Sequence, residues 1–492
     1  MAKQGHKDRL SAIDASFLHQ EKRASHMHVG ALVIFEGPPP AREDFCAHIG
    51  SRLALVPRYR QKLAFPRLEM GRPFWVDDPS FNLDYHVRHT ALPKPGSEEQ
   101  LRQLVGRIFS QRLDRSKPLW EVWLVQGLER GRFALISKTH HALVDGVSGV
   151  DIATVLFDMS PVPAELPADD GWTPEPEPGD AELVAEGIKG LVKTPVGLAS
   201  RALGAAQRPG RTLGQVREAA EGVGEVVWAG MNPAPDVPLN VPIGPHRRVL
   251  WVQSRLADFK EVKNALGGTV NDAVLTVVAG ALGRWLRDRG VRTEGMELRA
   301  LVPVSIRAED ERGALGNRIA AMRGPLPVYV RDPVERLAIV REGMGHLKES
   351  KQALGAEVIA GLQDFAPPTL LAQASRVNFS TRLFNLIVTN VPGPQFPLYL
   401  LGREMEEIVP IAFLPENHAL AIAIMSYNGR VDFGLLADYD AMPDLDAFGG
   451  HLTESLEQLL KAARKSSAST ARSNGSKRSS RNAKAREPAG GS

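Results

Sequence analysis

Cysteine is almost absent from this chain of 492 residues, which contains only Cys46. A single cysteine cannot form an intramolecular disulfide, and it excludes every metal site built from several thiolates. Apolar runs are short, and none reaches the ~18 residues typical of a membrane-spanning helix. The N-terminal stretch MAKQGHKDRL lacks the apolar core of a signal peptide. We therefore expect a cytoplasmic protein.

The motifs of three common enzyme classes are also missing. No G-x-S-x-G stretch supplies a nucleophilic serine, and no Walker motif supplies a phosphate-binding loop. Gly222 and Gly224 begin a dinucleotide-binding fingerprint, but Val227 stands where its third glycine belongs. These absences argue against a serine hydrolase, a P-loop NTPase and a dinucleotide-dependent enzyme.

Positive charge is concentrated at the C-terminal end. From Lys461 onward there are nine Lys/Arg and one acidic residue, whereas the whole chain carries a net charge of +3. Residues 466–492 contain almost no large apolar side chain, so we expect a disordered basic tail. Such a tail can bind an anionic membrane surface or nucleic acid, or it can simply add solubility. We favour the lipid surface and expect no specific nucleic acid.

Composition along the chain indicates two α/β regions with a different middle. We predict an N-terminal half over residues 1–160 and a C-terminal half over residues 238–465. Residues 161–237 begin as a proline-rich acidic linker. They continue as amphipathic helices over about 183–229, which either pack on the body or form a lid or lipid contact.

Local patterns predict several elements within the two halves. Residues 119–128 and 132–140 have the alternation and turn of a β-hairpin. Residues 271–290 have the periodicity and the terminal signals of a helix. Asn428 and Gly429 form the turn of a second predicted hairpin.

The stretch THHALVDGVSG at 139–149 joins a predicted strand to a predicted helix, where side chains commonly face a cleft. A metal site would need both His140 and His141, but adjacent strand residues point to opposite faces. A neutral histidine in a cleft is the usual general base near pH 7, and an alcohol that attacks a thioester needs one. We expect one histidine to face the cleft and the other to pack inward. Two buried core histidines are the alternative. Gly146 would permit the bend, and Asp145 would fix it by pairing with a distant cation.

The predicted helix at 271–290 begins with the pair Asn271-Asp272. The Asn271 amide or the helix N-terminus could stabilise a developing oxyanion. Alternatively, Asn271 only caps the helix, a contribution of ~1 kcal/mol, and Thr269 could fill the same position.

Several motifs occur together in a fixed order, and with them the chain from about residue 8 to 465 resembles the bacterial wax ester synthase/diacylglycerol acyltransferase family. The motifs are HHALVDG, PLW at 118–120, PLNVPIGPHRR at 238–248, ND at 271–272, PVSIR at 303–307 with GN at 316–317, and NVPGP at 390–394. The opening LSAIDASFL and the ending SYNGRVDFGLLADYD match as well.

The resemblance implies a fold and a set of site residues. The fold would be α/β, with two chloramphenicol acetyltransferase-like halves around a central substrate tunnel and a helical crossover between them. His141 would be the general base, with His140 in support. Asp145 would be structural and would pair with Arg307. Asp272 would support the site.

The resemblance also implies an activity. The enzyme would move a long-chain acyl group from acyl-CoA to diacylglycerol, a fatty alcohol or both, by direct transfer in a ternary complex. Acyl-CoA would be a co-substrate, with no cofactor and no metal. A peripheral location at the membrane or at lipid inclusions is compatible with this chemistry. Two alternatives are an acyltransferase of the condensation or polyketide type that uses an acyl carrier protein, and an inactive lipid-surface binding protein.

Overall fold

The computed structural model describes residues 8–66, 72–144, 155–163, 171–183, 185, 232–305, 319–349 and 379–484. Asp145, Gly146 and Arg307 lie outside the described residues, as does most of the predicted helical region 183–229.

The strands, in chain order, are β1 Asp8–Arg9, β2 His28–Phe35, β3 Gln61–Ala64, β4 Phe74–Asp77, β5 Val87–Ala91, β6 Trp120–Gln126, β7 Phe133–His140, β8 Arg247–Arg255, β9 Glu297–Ser305, β10 Ile319–Pro327, β11 Leu386–Pro392, β12 Tyr399–Leu400, β13 Arg403–Ile411, β14 Leu420–Tyr427 and β15 Arg430–Asp438. The helices are α1 Ala12–Gln20, α2 Arg42–Arg52, α3 Leu83–His86, α4 Glu98–Phe109, α5 His141–Val144, α6 Leu256–Leu266, α7 Val270–Asp288, α8 Pro333–Glu349 and α9 Leu445–Lys484. Short 3₁₀ helices cover Leu53–Leu55, Pro57–Arg60 and Glu129–Gly131.

The N-terminal half is built on a mixed six-stranded sheet in the order β12-β13-β2-β7-β6-β5. The predicted hairpin is confirmed, because β6 and β7 pair antiparallel from Trp120–Thr139 to Val125–Ala134. Side chains on both faces of β6 and β7 are mostly buried, as expected of central strands that read as nearly continuous apolar runs. A small sheet, β1-β4-β3, lies beside this one.

The C-terminal half is built on a second mixed six-stranded sheet in the order β10-β9-β11-β14-β15-β8. Its predicted hairpin turn is also confirmed, since Asn428 and Gly429 have φ of 43° and 82° between the antiparallel strands β14 and β15. Helix α7 runs along this half and is buried over most of its length. The predicted helix at 271–290 is therefore a core helix of the C-terminal half.

Two strands cross between the predicted halves. Strands β12 and β13 belong to the predicted C-terminal half by sequence, yet β13 pairs antiparallel with β2 in the N-terminal sheet, from Ile411–Gly30 to Met405–Phe35. Strand β13 also passes close to β15. A Cβ atom on Gly434 would lie 1.8 Å from the Pro410 carbonyl oxygen, so only glycine permits this backbone approach.

The buried side chains form clusters that follow this arrangement. One cluster fills the C-terminal half, and another lies mainly in the N-terminal half. A third combines side chains from both halves, including Phe17 and Val105 with Trp251, Phe384 and Phe413. The two halves therefore share a continuous apolar core, and the histidine motif borders it.

The prediction of a disordered tail from residue 466 is wrong as far as Lys484, because α9 continues to that residue. The part of α9 before Ala463 is anchored in the core through residues such as Phe448, Leu452 and Leu459. Extending an existing helix avoids the cost of nucleation, and the Ala, Lys and Arg residues of the tail are good helix formers.

Within the described ranges, no single helix combines the length and the apolar composition needed to span a membrane. In the same ranges, α6 and α7 taken together meet both criteria, with a bend of 101° between them.

Candidate active site

The two histidines of the motif lie where β7 ends and α5 begins. His140 is the last residue of β7, and its backbone N–H donates to the carbonyl oxygen of Leu119, in the PLW motif, at 2.9 Å. His141 is the first residue of α5, and its N–H donates to the Met27 carbonyl at 2.8 Å. Neighbouring segments therefore fix the backbone at the predicted strand-to-helix connection.

The His141 ring is partly exposed and lies among aromatic rings. It stacks on Phe17 of α1 with ring centroids 4.0 Å apart and planes 26° apart. Phe413 approaches it edge-on, with centroids 5.4 Å apart and planes at 86°. Phe379 lies 6.2 Å from the Phe17 ring and 5.9 Å from the Phe413 ring. Because Phe379 and Phe413 come from the C-terminal part of the chain, His141 faces the junction between the two halves.

The His140 ring points into the interior, and only 1% of the residue is exposed. Its Nδ1 accepts the N–H of Ala142 at 3.1 Å, and its Nε2 lies 3.6 Å from Oε2 of Glu21. Burial lowers the pKa of His140 below its ordinary value, although the polar contact and charge of Glu21 oppose this. The two rings occupy different environments, in agreement with the prediction from strand geometry.

Glu21 is a buried carboxylate beneath the motif, with 2% of its side chain exposed. Arg115 donates to it from Nε at 2.7 Å and also from Nη2, while Nε of Arg112 lies 3.6 Å away. Burial alone would raise the pKa of Glu21, but the polar contact with His140 and the charge of Arg115 outweigh burial. The resulting pKa is about 2. Glu21 is therefore ionised throughout the neutral pH range.

Two further histidines lie on the same side of the sheet. His28 is directly opposite His140 across the β2–β7 pair, with ring centroids 5.8 Å apart, and its Nε2 lies 3.9 Å from Oε1 of Glu21. His26 lies 5.5 Å from His28 by ring centroids. Burial lowers the pKa of both His26 and His28, which favours the neutral form of each ring.

A buried ion pair continues the polar layer along β7. Lys138 is 1% exposed, and its Nζ lies 2.6 Å from Oε1 of Glu121 on the neighbouring strand. The same ammonium donates to the carbonyl oxygens of Ile108 and Gln111 at 2.9 and 3.1 Å. The carboxylate and the two carbonyl oxygens surround the ammonium and compensate the cost of burying its charge.

The start of α7 supplies the ND pair. Asp272 and Thr269 form a reciprocal capping box, with N···O distances of 2.8 and 3.1 Å, so Thr269 and not Asn271 is the N-cap. Oδ1 of Asn271 instead accepts from Nδ2 of Asn390, in the NVPGP motif, at 3.1 Å. The two C-terminal motifs are thus joined, and Asp272 has a structural role at the helix start.

The sequence reasoning missed Glu21, Lys138 and the phenylalanines around His141. One signal was available for Glu21: it is the C-cap of α1, where a negative charge opposes the helix dipole. A buried carboxylate at a helix C-terminus needs a cation or hydrogen-bond donor from another part of the chain to compensate its charge. Its partner Arg115 is 94 residues away in sequence, so the residues alone did not reveal it.

Chemically, the arrangement provides a partly exposed imidazole at the junction of two halves, backed by buried polar groups. Among the described residues, no group of three His, Cys, Asp or Glu side chains is placed to hold a metal ion. A neutral imidazole in such a position can accept a proton from a bound hydroxyl group and return it to a leaving group.

Comparison with solved structures defines the class. The fold is similar to that of a starter condensation domain of rhizomide synthetase, with a TM-score of 0.56 over 93% of this chain and 95% of that domain. At 13% identity this likeness concerns the fold alone. The predicted fold class, two chloramphenicol acetyltransferase-like α/β halves, is confirmed.

The chain belongs to the wax ester synthase/diacylglycerol acyltransferase family. The model of the family's catalytic domain matches residues 10–274, and the model of its C-terminal domain matches residues 315–460. The wax ester synthase/diacylglycerol acyltransferase of Marinobacter aquaeolei VT8 has 29% sequence identity and a TM-score of 0.64, covering 92% of this chain and 99% of that one. The Mycobacterium tuberculosis H37Rv protein named probable diacylglycerol O-acyltransferase tgs2 is 33% identical, over 92% of this chain and 99% of its own length. The resemblance inferred from the motifs is confirmed.

Proposed function

We propose that this enzyme transfers a long-chain acyl group from acyl-CoA to the hydroxyl group of diacylglycerol, a long-chain alcohol or both. The names of its relatives support these substrates. The main structural support is His141, a partly exposed imidazole whose backbone is fixed by Met27 and whose ring lies between phenylalanines from both parts of the chain. An apolar surround suits long acyl and alkyl chains and keeps water away from the thioester.

In the proposed mechanism the two substrates meet at His141, with acyl-CoA entering one mouth of a tunnel between the halves and the acceptor entering the other. Nε2 of His141 takes the hydroxyl proton while the acceptor oxygen attacks the thioester carbonyl. The tetrahedral intermediate collapses when the C–S bond breaks, and His141 returns its proton to the sulfur of coenzyme A. Atoms and charge balance without a covalent acyl-enzyme, a metal or a cofactor.

Asn271 is the candidate donor to the oxyanion. Its Oδ1 accepts from Asn390, which orients the amide. Among the described residues, its Nδ2 has no hydrogen-bond acceptor and can donate to a bound group. An ion pair of Asp145 with Arg307, beside the bend at Gly146, would hold the rest of the motif. An Arg307→Gln variant that keeps its fold and full activity would remove that pairing from the proposal.

A product assay with purified protein tests the main proposal. Palmitoyl-CoA is supplied with either hexadecanol or a diacylglycerol, and wax ester and triacylglycerol are separated and counted. The His141→Ala variant should lose ~10²–10⁴-fold in kcat and keep the circular dichroism spectrum of the parent. Near-full activity of His141→Ala, or a stably acylated residue during turnover, would contradict the mechanism.

The same assay addresses the alternatives. An enzyme that takes its acyl group from a carrier protein would transfer faster from an acylated carrier than from palmitoyl-CoA. A lipid-surface binding protein without activity would bind vesicles and form no ester. Either result would replace the proposed function.

We also propose a peripheral attachment to anionic lipid surfaces through the basic end of α9, which contains Lys461, Arg464 and Lys465 and continues with further basic residues to Lys484. Each basic residue near such a surface contributes about 1 kcal/mol. Removing residues 466–492 should weaken binding to phosphatidylserine vesicles, and added salt should weaken binding of the full chain. Equal binding to pure phosphatidylcholine vesicles, or tight binding to nucleic acid instead, would contradict the attachment.

A further inference from the structure

Glu21 lies at a position where a carboxylate is electrostatically unfavourable unless other groups compensate its charge. It ends α1 as the C-cap, with its own N–H donating to the Phe17 carbonyl at 3.1 Å. A carboxylate at this end of a helix is opposed by the helix dipole, and its burial adds a desolvation cost. Arg115 compensates both costs with direct hydrogen bonds.

The Glu21 carboxylate influences which nitrogen of the His140 ring carries the proton. An ionised carboxylate accepts hydrogen bonds and donates none, so a ring nitrogen that faces it is favoured when it carries a proton. Oε2 of Glu21 and Nε2 of His140 are 3.6 Å apart. This distance is longer than a normal hydrogen bond, so the carboxylate acts on the ring through its charge.

The contact at the other ring nitrogen of His140, Nδ1, favours the same tautomer. Nδ1 lies 3.1 Å from the backbone nitrogen of Ala142, which donates its N–H, so Nδ1 must be the unprotonated nitrogen. One neutral tautomer, with the proton on Nε2, satisfies both neighbours. The opposite tautomer would place an N–H against the Ala142 N–H and a lone pair against the carboxylate.

The Ala142 amide belongs to the first turn of α5, which starts at His141. First-turn N–H groups have no partner within their own helix and need one from outside. His140 provides that partner for Ala142. The orientation of this turn sets the orientation of the His141 side chain relative to Phe17 and Phe413.

We infer that Glu21 is a positioning residue, which holds His140 in the Nε2–H tautomer so that Nδ1 anchors the Ala142 amide and, through it, His141. The inference rests on the proposed role of His141 as the base. Glu21 acts only through His140, and it contributes geometry rather than a proton.

The tautomer can be measured directly in the full-length enzyme. With ¹⁵N-labelled histidine, two-bond nitrogen–proton correlations distinguish Nδ1–H from Nε2–H rings, and the His140 signal is identified by its loss in His140→Gln. Wild-type enzyme should show the Nε2–H form. In Glu21→Gln the new amide can donate to Nε2 and compete with the Ala142 N–H, so a fraction of the ring should appear in the Nδ1–H form. The value of kcat should fall about 10- to 100-fold, as expected for a small misplacement of a catalytic group, with the KM for palmitoyl-CoA unchanged.

Two further variants sharpen the test. Glu21→Asp keeps the charge and should retain the Nε2–H form with part of the activity, which a purely steric role would not predict. Glu416→Gln removes an exposed carboxylate that pairs with Lys22, next to Glu21, and should change neither the tautomer nor kcat.

An Nδ1–H ring in the wild type would overturn the inference even if Glu21→Gln fails to fold. An unchanged tautomer in folded Glu21→Gln would also overturn it, as would a switched tautomer with normal kcat. Full activity of His141→Ala would contradict the proposed base and leave the tautomer result to decide the link from Glu21 to His140.

Discussion

The two six-stranded sheets have similar size and mixed pairing, yet their central strands bury different chemistry. Strand β7 of the N-terminal sheet places Lys138 and His140 in the interior, each 1% exposed. Strand β14 of the C-terminal sheet buries only apolar side chains from Leu420 to Ile424. A central strand of the sheet with the histidine motif therefore buries charged and titratable side chains, whereas this stretch of β14 contributes apolar packing.

The comparison also shows how partners determine the state of a buried acid. In the N-terminal half, Arg115 and His140 lower the pKa of Glu21 to about 2. Asp432 on β15 is fully buried, and among the described residues its carboxylate has no hydrogen-bond partner. Burial and the nearby Glu407 raise the pKa of Asp432 to about 8, against a smaller opposing effect of Arg430. Burial raises the pKa of both carboxyl groups, and the neighbouring charged groups decide whether the final pKa is low or high.

The largest effect on stability should come from breaking the buried ion pair. Lys138→Met leaves the Glu121 carboxylate without its nearest cation and should cost about 3–5 kcal/mol. Ile424→Met, at an equally buried position of β14, should cost less than about 1.5 kcal/mol. Urea denaturation of both variants measures the difference. The double variant Glu121→Leu/Lys138→Met should recover much of the loss, and equal costs for the two single variants would contradict the contrast between the halves.

The next largest effect is a pH dependence of folding stability caused by Asp432. Between the ordinary pKa of about 3.9 for an unfolded aspartate and the value of about 8 in the fold, the folded protein binds one more proton at Asp432. Stability should therefore fall as pH rises, by at most about 1.4 kcal/mol per pH unit. Asp432→Asn should remove this slope, so that its advantage in Tm grows from pH 5 to pH 8. Asp446→Asn, an exposed control, should keep the wild-type slope, and a parallel pH profile for Asp432→Asn would contradict the raised pKa.

The smallest effect on stability should come from removing a helix cap, and it should be equal in the two halves. Ser97 caps α4 and Thr269 caps α7, each through a reciprocal capping box. Because a cap is a local interaction, Ser97→Ala and Thr269→Ala should each cost about 1 kcal/mol whatever the core contains. Thermal unfolding of the two variants measures both costs. A markedly larger loss for Thr269→Ala would mean that the ND pair does more than begin its helix.

Features that depend on neighbouring residues were predictable from the sequence. The β6–β7 hairpin, the turn at Asn428 and Gly429, and the helix that begins near Asn271 are all set by alternation, turn residues and caps within a few positions. The different environments of His140 and His141 were also expected from local geometry, although His141 begins α5 and does not continue the strand.

Features that depend on distant partners were not predictable in this way. Glu21 meets Arg115 and His140 only after the sheet has formed, and β13 joins β2 across more than 360 residues of sequence. The helical tail was mispredicted for a related reason, since composition alone does not show that α9 is already anchored by a packed first segment. The motif order identified the family, and the structure was needed to identify the residues that support the histidines.

The pairing of β13 with β2 has a consequence for biosynthesis. Strand β2, with the apolar sequence HVGALVIF, remains an unpaired sheet edge until residues 403–411 leave the ribosome. A nascent N-terminal half with this edge exposed is prone to pair with other chains. We therefore expect that the two halves cannot be produced separately and mixed, and that the enzyme completes its histidine-bearing sheet only after residues 403–411 have been synthesised.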